Sequence, residues 1–271
     1  MSGRTEFLAG LPLAPETLPR PLPPPGPRDF VICGCPKTGT TLLAATLWQP
    51  PRVVVCSEPW DGMRMPPATL FGSLRRELRT GRLGRGRLDV PHLLAEHEVR
   101  WTEDGERPVR VMVDDGHLLG VKWPAFWRYL PLLPDTKFLV CLRHPYEVVH
   151  SFEYSSPTLR EGYDYDTAFN RALNARLAEH PDTAVRRVKL YDAVNAEILR
   201  HLGRRNVLPV RHERWYSEPD ALVDEVAGFL GVELAPGLVR LRRPRGGDAP
   251  EVRDLVRTHC TTAHALGYTL D

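Results

Sequence analysis

Three short, uninterrupted apolar runs punctuate the chain: Asp29-Phe-Val-Ile-Cys-Gly34, Arg52-Val-Val-Val-Cys-Ser57 and Lys137-Phe-Leu-Val-Cys-Leu142. Their continuous rather than alternating apolar character is that of parallel strands covered on both faces. A further strand is expected from Val207 to His212. Helical periodicity fills the intervals. One helix begins directly after a glycine loop at Thr41 and runs to Trp48, and Pro124 to Leu133 and Tyr146 to Ser155 flank the Lys137 strand. Asp166 to Glu179, Thr183 to Leu202, Pro219 to Leu230 and Pro250 to Leu266 follow as amphipathic segments. Strands alternating with helices predict an α/β protein with a central, mainly parallel sheet flanked by helices.

Two stretches break this rhythm. Residues 1 to 28 are crowded with proline, as in Leu18-Pro-Arg-Pro-Leu-Pro-Pro-Pro-Gly26, which favours extended, solvated backbone and predicts a flexible leader. Residues 61 to 120 contain a basic, glycine-interrupted run from Leu74 to Arg87 and a candidate edge strand from Pro108 to Asp114. This stretch is expected to be an insertion over the sheet, a lid, within a single domain spanning 29 to 271.

Charge and cysteine content narrow the partners. The 36 basic and 34 acidic residues nearly cancel, so no polybasic surface for nucleic acid is expected. The five cysteines, Cys33, Cys35, Cys56, Cys141 and Cys260, show no metal-ligand spacing, which predicts reduced thiols in a cytoplasmic protein without a structural metal. No apolar stretch is long enough to span a bilayer.

The candidate chemistry lies between the first strand and first helix, in Gly34-Cys-Pro-Lys-Thr-Gly-Thr-Thr41. A strand, a glycine loop and a helix start put backbone N–H groups where an anion can sit. Gly39 permits close approach, Thr40 and Thr41 add hydroxyls, and Lys37 adds a positive charge. The spacing of Gly34, Gly39 and Thr41 nearly fits G-x-x-x-x-G-K-[ST], but Thr40 occupies the lysine position and the cation has moved inside the loop. No apolar strand ends in a magnesium-holding aspartate. An ATP-dependent phosphoryl transferase would need that metal, whereas a sulfuryl group carries less negative charge.

Pro36-Lys-Thr-Gly-Thr-Thr41 resembles the 5′-phosphosulfate loop of the sulfotransferases that use 3′-phosphoadenylyl sulfate (PAPS), matching Pro-[Lys/Arg]-[Ser/Thr]-Gly-[Ser/Thr]-[Ser/Thr] at every position. Leu139-Val-Cys-Leu-Arg-His-Pro-Tyr-Glu-Val-Val-His-Ser151 resembles the family's 3′-phosphate element, with Arg143 ending a strand and Ser151 eight residues on. Similarity continues through Val210 to Asp220 and Ala227-Gly-Phe-Leu-Gly231, with His212 where tyrosine is common. The turn Arg242-Arg-Pro-Arg-Gly-Gly247 resembles a late basic loop over the 3′-phosphate, leaving Arg243 or Arg245, with Gly246, as the contact.

The resemblance implies a P-loop NTPase-like three-layer fold. It also implies metal-free transfer of a sulfuryl group from PAPS to a hydroxyl or amine of a sugar or small molecule, releasing adenosine 3′,5′-bisphosphate. Cosubstrate binding then falls to Pro36, Lys37, Thr38, Gly39, Thr40, Thr41, Arg143 and Ser151. Lys37 is expected to stabilise the departing phosphate. Glu58 follows the second strand and precedes Pro59-Trp60, a Glu-Pro element similar to that of carbohydrate and bacterial members, and is the expected general base. The segment Gly120-Val-Lys-Trp-Pro124 keeps a lysine, Lys122, without the histidine of the cytosolic small-molecule members, so Lys122 is expected to support the leaving group. His117 is the second candidate base. Trp60, Trp123, Phe126, Trp127 and Tyr129 read mainly as core, with one or two available for an acceptor pocket. A P-loop kinase using ATP and a noncatalytic nucleotide-binding protein are the competing readings.

Overall fold

A computed structural model describes residues 22–59, 62, 65–83, 109–153, 168–235 and 249–270. The first apolar run forms β1 (Asp29–Gly34), and after the glycine loop the chain enters α1 (Thr40–Thr46) and β2 (Val53–Ser57). Helix α2 (Pro67–Arg79) leads into a small antiparallel pair, β3 (Arg82–Leu83) with β4 (Val109–Arg110). Strand β5 (Leu118–Lys122), a 3₁₀ segment at Pro124–Tyr129 and β6 (Lys137–Leu142) come next. The remaining elements are α3 (Pro145–Glu153), α4 (Ala168–Ala178), α5 (Thr183–Leu199), β7 (Val207–Arg211), α6 (Arg214–Ser217), α7 (Pro219–Leu230) and α8 (Pro250–His259).

Five strands form one parallel sheet in the order β2-β5-β1-β6-β7. Because successive strand side chains point to opposite faces, each apolar run feeds two cores. Val31, Cys33, Val54, Cys56, Leu119, Val121 and Val140 join Leu70, Leu74, Val148, Val194 and Val256 of α2, α3, α5 and α8. Phe30, Ile32, Val53, Val55, Leu139 and Val210 join Leu43 of α1 and Leu222 and Val226 of α7 on the other face. The expected three-layer α/β architecture is therefore present, and its double burial explains why the runs show no alternation. All five cysteines are buried free thiols.

Three departures from the sequence reading have physical causes. Helix α2 is a layer of the fold, not a cover: Leu70, Phe71, Leu74 and Leu78 are buried against the sheet, and its arginines occupy the remaining face. Residues 61, 63, 64 and 84–108 of the expected lid lie outside the described residues, as do 1–21 of the leader. Strand β5 lies inside the sheet between β2 and β1, although Gly120 interrupts its apolar run; the Phe30 ring fills that space, and a Cβ there would collide with Phe30 Cζ. The segment expected as a helix from Pro124 is 3₁₀. Its three residues per turn place Trp123, Phe126 and Tyr129 on one line, with Trp123 stacked on Phe126 at 5.7 Å and Phe126 meeting Tyr129 edge-on at 5.0 Å.

Candidate active site

Strand order reverses direction around β1: the chain leaves it leftward toward β2, and passes rightward from β6 to β7. Open parallel sheets bind ligands at the carboxyl edge beside such a switch point. The loop after β1 and the turn after β6 both emerge there.

The loop is shaped by a turn at Cys35–Thr38. Thr38 donates its N–H (3.3 Å) and its hydroxyl (2.7 Å) to the Cys35 carbonyl, with Pro36 second in the turn and Lys37 third at φ 71°. Proline followed by a positive φ is the signature of a type II turn, where glycine usually holds the third place. Lysine there accepts a strained backbone and in return stands exposed at the loop tip. Thr38 and Thr40 are buried beneath it. Gly39, at φ 95°, has no room for a side chain: a Cβ would lie 2.6 Å from His212 Cδ2. Its carbonyl accepts the N–H of Leu43, while the amides of Thr40 and Thr41 have no carbonyl partner within the helix.

Arg143 is brought to this loop from 106 residues away, its Nη1 donating to the Lys37 carbonyl at 3.1 Å. Its Nε donates to Glu147 Oε2 at 2.7 Å, so one edge of the guanidinium carries a carboxylate that the sequence reading did not single out. Ser151 lies two turns along α3, and its hydroxyl donates to the Glu147 carbonyl at 2.6 Å. The turn after β7 closes the other side. His212 packs against Gly39 and, 5.5 Å away, meets the Tyr216 ring edge-on. Burial, with Arg143 adding repulsion, pushes its imidazole down to about 3, so this histidine is neutral. Glu213 beside it accepts the His144 N–H at 2.7 Å and thereby ties the β7 turn to the β6 turn.

Glu58 and Lys122 meet directly. Register places Ser57 opposite Lys122 on adjacent strands, so the next residue, Glu58, lies beside that lysine at the carboxyl edge. Glu58 adopts φ 47° and extends the ladder by donating its N–H to the Lys122 carbonyl at 2.7 Å. Lys122 Nζ donates to Glu58 Oε1 at 2.9 Å and to Thr41 Oγ1 at 3.2 Å. The Lys122 side chain is 0% exposed and that of Glu58 15%, so the lysine lies beneath the site and the carboxylate forms part of its wall. Lys122 is thus a buried link between the Glu-Pro element and the last hydroxyl of the glycine loop.

His117 lies elsewhere. It precedes β5, at the amino edge, separated from Lys122 by the whole strand, roughly 15 Å. There its Nε2 lies 3.3 Å from Arg75 Nη1 and its Nδ1 lies 2.9 Å from the Asp114 carbonyl, while Arg75 also pairs with Asp29. The topology therefore corrects the reading of His117 as a second candidate base. The aromatic cluster matches its main reading: Trp123, Phe126, Trp127 and Tyr129 are all buried in the core. Trp60, Arg243, Arg245 and Gly246 lie outside the described residues. Among those described, no group of His, Cys, Asp and Glu has metal-ligand geometry, and no helix is long and apolar enough to cross a membrane.

Comparison with known proteins adds an independent line. The chain is 27% identical over 232 residues to the nodulation protein NoeE of Sinorhizobium fredii, an alignment covering 78% of this chain and 52% of NoeE, so it spans about half of that relative's length. Among solved structures it resembles the sulfotransferase domain from the curacin biosynthetic pathway (16% identity, TM-score 0.45, covering 92% of this chain and 88% of that one). It also resembles mouse sulfotransferase SULT7A1 complexed with PAP (14% identity, TM-score 0.41, covering 87% and 65%). A family model described as the Sulfotransferase family matches residues 29–236, which takes in the loop, Glu58, Lys122, Arg143 and the β7 turn, and the chain belongs to that family.

Proposed function

We propose that this chain moves a sulfuryl group from PAPS to a hydroxyl or amine of a sugar or small-molecule acceptor by in-line displacement. The observation that carries the reading is the contact of Arg143 with the Lys37 carbonyl. It makes one continuous cationic edge out of two segments, a loop for one phosphate and a fork for another, as a nucleotide phosphorylated at both its 5′ and 3′ positions requires.

In this reading the Pro36–Thr41 loop cradles the 5′-phosphosulfate. The exposed ammonium of Lys37 lies where the bridging oxygen acquires charge as its bond to sulfur breaks. The acceptor oxygen or nitrogen forms the new bond to sulfur from the opposite side, its proton passes to Glu58, and adenosine 3′,5′-bisphosphate departs. Lys122 orients the Glu58 carboxylate and the Thr41 hydroxyl from beneath, in addition to the leaving-group support expected of it. Arg143 and Ser151 take the 3′-phosphate, the guanidinium exchanging part of its bond to Glu147 for phosphate oxygens.

Calorimetric titration with adenosine 3′,5′-bisphosphate, with and without magnesium, tests the binding claim, and turnover of labelled PAPS with a panel of sugars and phenols tests the transfer. Metal-independent binding together with turnover that is lost in Lys37→Ala is expected. Magnesium-dependent binding and hydrolysis of ATP, without affinity for the bisphosphate, would sink the proposal in favour of a kinase.

A further inference from the structure

The turns that present Arg143 and His212 are held by residues 266–270, which run across both strand ends and accept hydrogen bonds through their carbonyls. Arg211, the last residue of β7, donates to the Leu266 carbonyl and lies over the Tyr268 ring at 5.0 Å. His144, next to Arg143, has Nε2 3.0 Å from the Thr269 carbonyl. The Tyr146 hydroxyl donates to the Leu270 carbonyl at 2.9 Å, and Arg257 Nε from α8 donates to the same oxygen at 2.6 Å. The Tyr268 hydroxyl reaches Glu213 Oε2 at 3.4 Å, while Glu213 Oε1 accepts the His144 N–H.

His144 is the centre of this arrangement. Its Nδ1 accepts the Tyr146 N–H at 3.3 Å, which leaves Nε2 as the protonated nitrogen that donates to Thr269. Its ring packs against Tyr146 at 4.7 Å and Tyr268 at 5.2 Å. The chain leaving Arg143 is therefore fixed at two points, its carbonyl by the Tyr191 hydroxyl at 3.0 Å and the following residue by the strap. Arg143 in turn holds the Lys37 carbonyl, which connects the strap to the phosphate loop.

We propose that residues 266–270 are a strap that positions the nucleotide site, and that His144 is the positioning residue through which it acts on Arg143. This rests on the reading of Arg143 as a phosphate ligand. The strap contributes no group to the ligand. It narrows the range of positions open to the guanidinium, so its loss lowers affinity without removing a contact.

The test compares His144→Ala, His144→Gln, Tyr146→Phe and Arg143→Ala in the full chain. Titration with adenosine 3′,5′-bisphosphate is followed by KM for PAPS and kcat. Loss of one hydrogen bond to the strap is expected to weaken the bisphosphate about fivefold in His144→Ala, with KM rising more than kcat falls. His144→Gln, whose amide N–H reaches as far as Nε2, is expected to recover most of the loss. Tyr146→Phe, which keeps the ring and removes only the donor to Leu270, is expected to show a smaller effect in the same direction. Arg143→Ala serves as the reference. If it weakens binding while His144→Ala and Tyr146→Phe leave affinity and KM unchanged, the strap is structural only and the inference is overturned. If Arg143→Ala itself leaves affinity unchanged, the phosphate role of Arg143 fails first, and the inference with it.

Discussion

The Glu58–Lys122 pair offers the sharpest separation of stability from chemistry. In Glu58→Ala the ammonium of Lys122, on a side chain 0% exposed, keeps Thr41 and loses the Glu58 carboxylate. Breaking a buried ion pair from one side costs about 3–5 kcal/mol, and the 15% exposure of the Glu58 side chain puts this pair near the lower end. For a chain of this length that corresponds to a fall in Tm of roughly 6–12 °C. Glu58→Gln retains an oxygen to accept from Lys122 and is expected to lose only about 1–2 kcal/mol. Neither variant can take a proton from the acceptor, so both are expected to lose about 10²–10⁴ in kcat, while affinity for adenosine 3′,5′-bisphosphate is kept in Glu58→Gln. Thermal unfolding, bisphosphate titration and single-turnover transfer from labelled PAPS read the three quantities separately. Wild-type kcat in Glu58→Gln would remove the base assignment. A Glu58→Ala protein as stable as the parent would show that the buried ammonium does not depend on this carboxylate.

Other perturbations follow from the same geometry. Lys37→Gly relieves the positive φ and adds chain entropy to the unfolded state, so stability is expected to change by less than about 1 kcal/mol while turnover collapses; retained turnover would contradict the role of the ammonium. Gly39→Ala combines φ 95° with a Cβ 2.6 Å from His212, and is expected to cost about 1–3 kcal/mol and most bisphosphate affinity, with His212→Ala in the same chain recovering only the steric part. The depressed imidazole of His212, at about 3, makes the unfolded chain bind the proton first. Its stabilising contribution is therefore complete above about pH 6.5 and is lost as pH falls toward 3, reaching a loss of roughly 2 kcal/mol at pH 5. His201, also depressed by burial, acts in the same sense, so the measurement is the difference between the parent and His212→Asn in denaturant unfolding at pH 7 and pH 5. Equal acid sensitivity in the two would refute the buried neutral histidine. His117→Ala, at the far edge of the sheet, is expected to keep turnover within about twofold of the parent, as a surface change away from the site; a larger loss would reopen its candidacy as base.

Local chemistry made part of this protein legible from its sequence. The β1 run, the turn-forming Pro36, the permissive Gly39 and the helix that starts at Thr40 are neighbours in the chain, so spacing alone locates the strand–loop–helix junction proposed to cradle phosphate. Arg143 and Ser151 were legible for the same reason, as the end of one strand and the helix that follows it. Continuous apolar runs announced a sheet buried on both faces. Strand β5 escaped because Gly120, required by the Phe30 ring on the neighbouring strand, breaks its apolar run, and that requirement exists only once β1 and β5 are paired.

What the tertiary structure decided is set by register and strand order, which no local pattern contains. Pairing Ser57 with Lys122 converts two separately plausible residues into an ion pair with the lysine fully buried. The direction of β5 sends Lys122 to the carboxyl edge and His117, five residues earlier, to the opposite one. Glu147 on Arg143, His212 against Gly39 and the strap at 266–270 are contacts between segments that only the closed fold brings together. Sequence named the candidates for holding an anion; the packing of the strands determined which of them lie at the carboxyl edge of the sheet and which lie beneath or away from it.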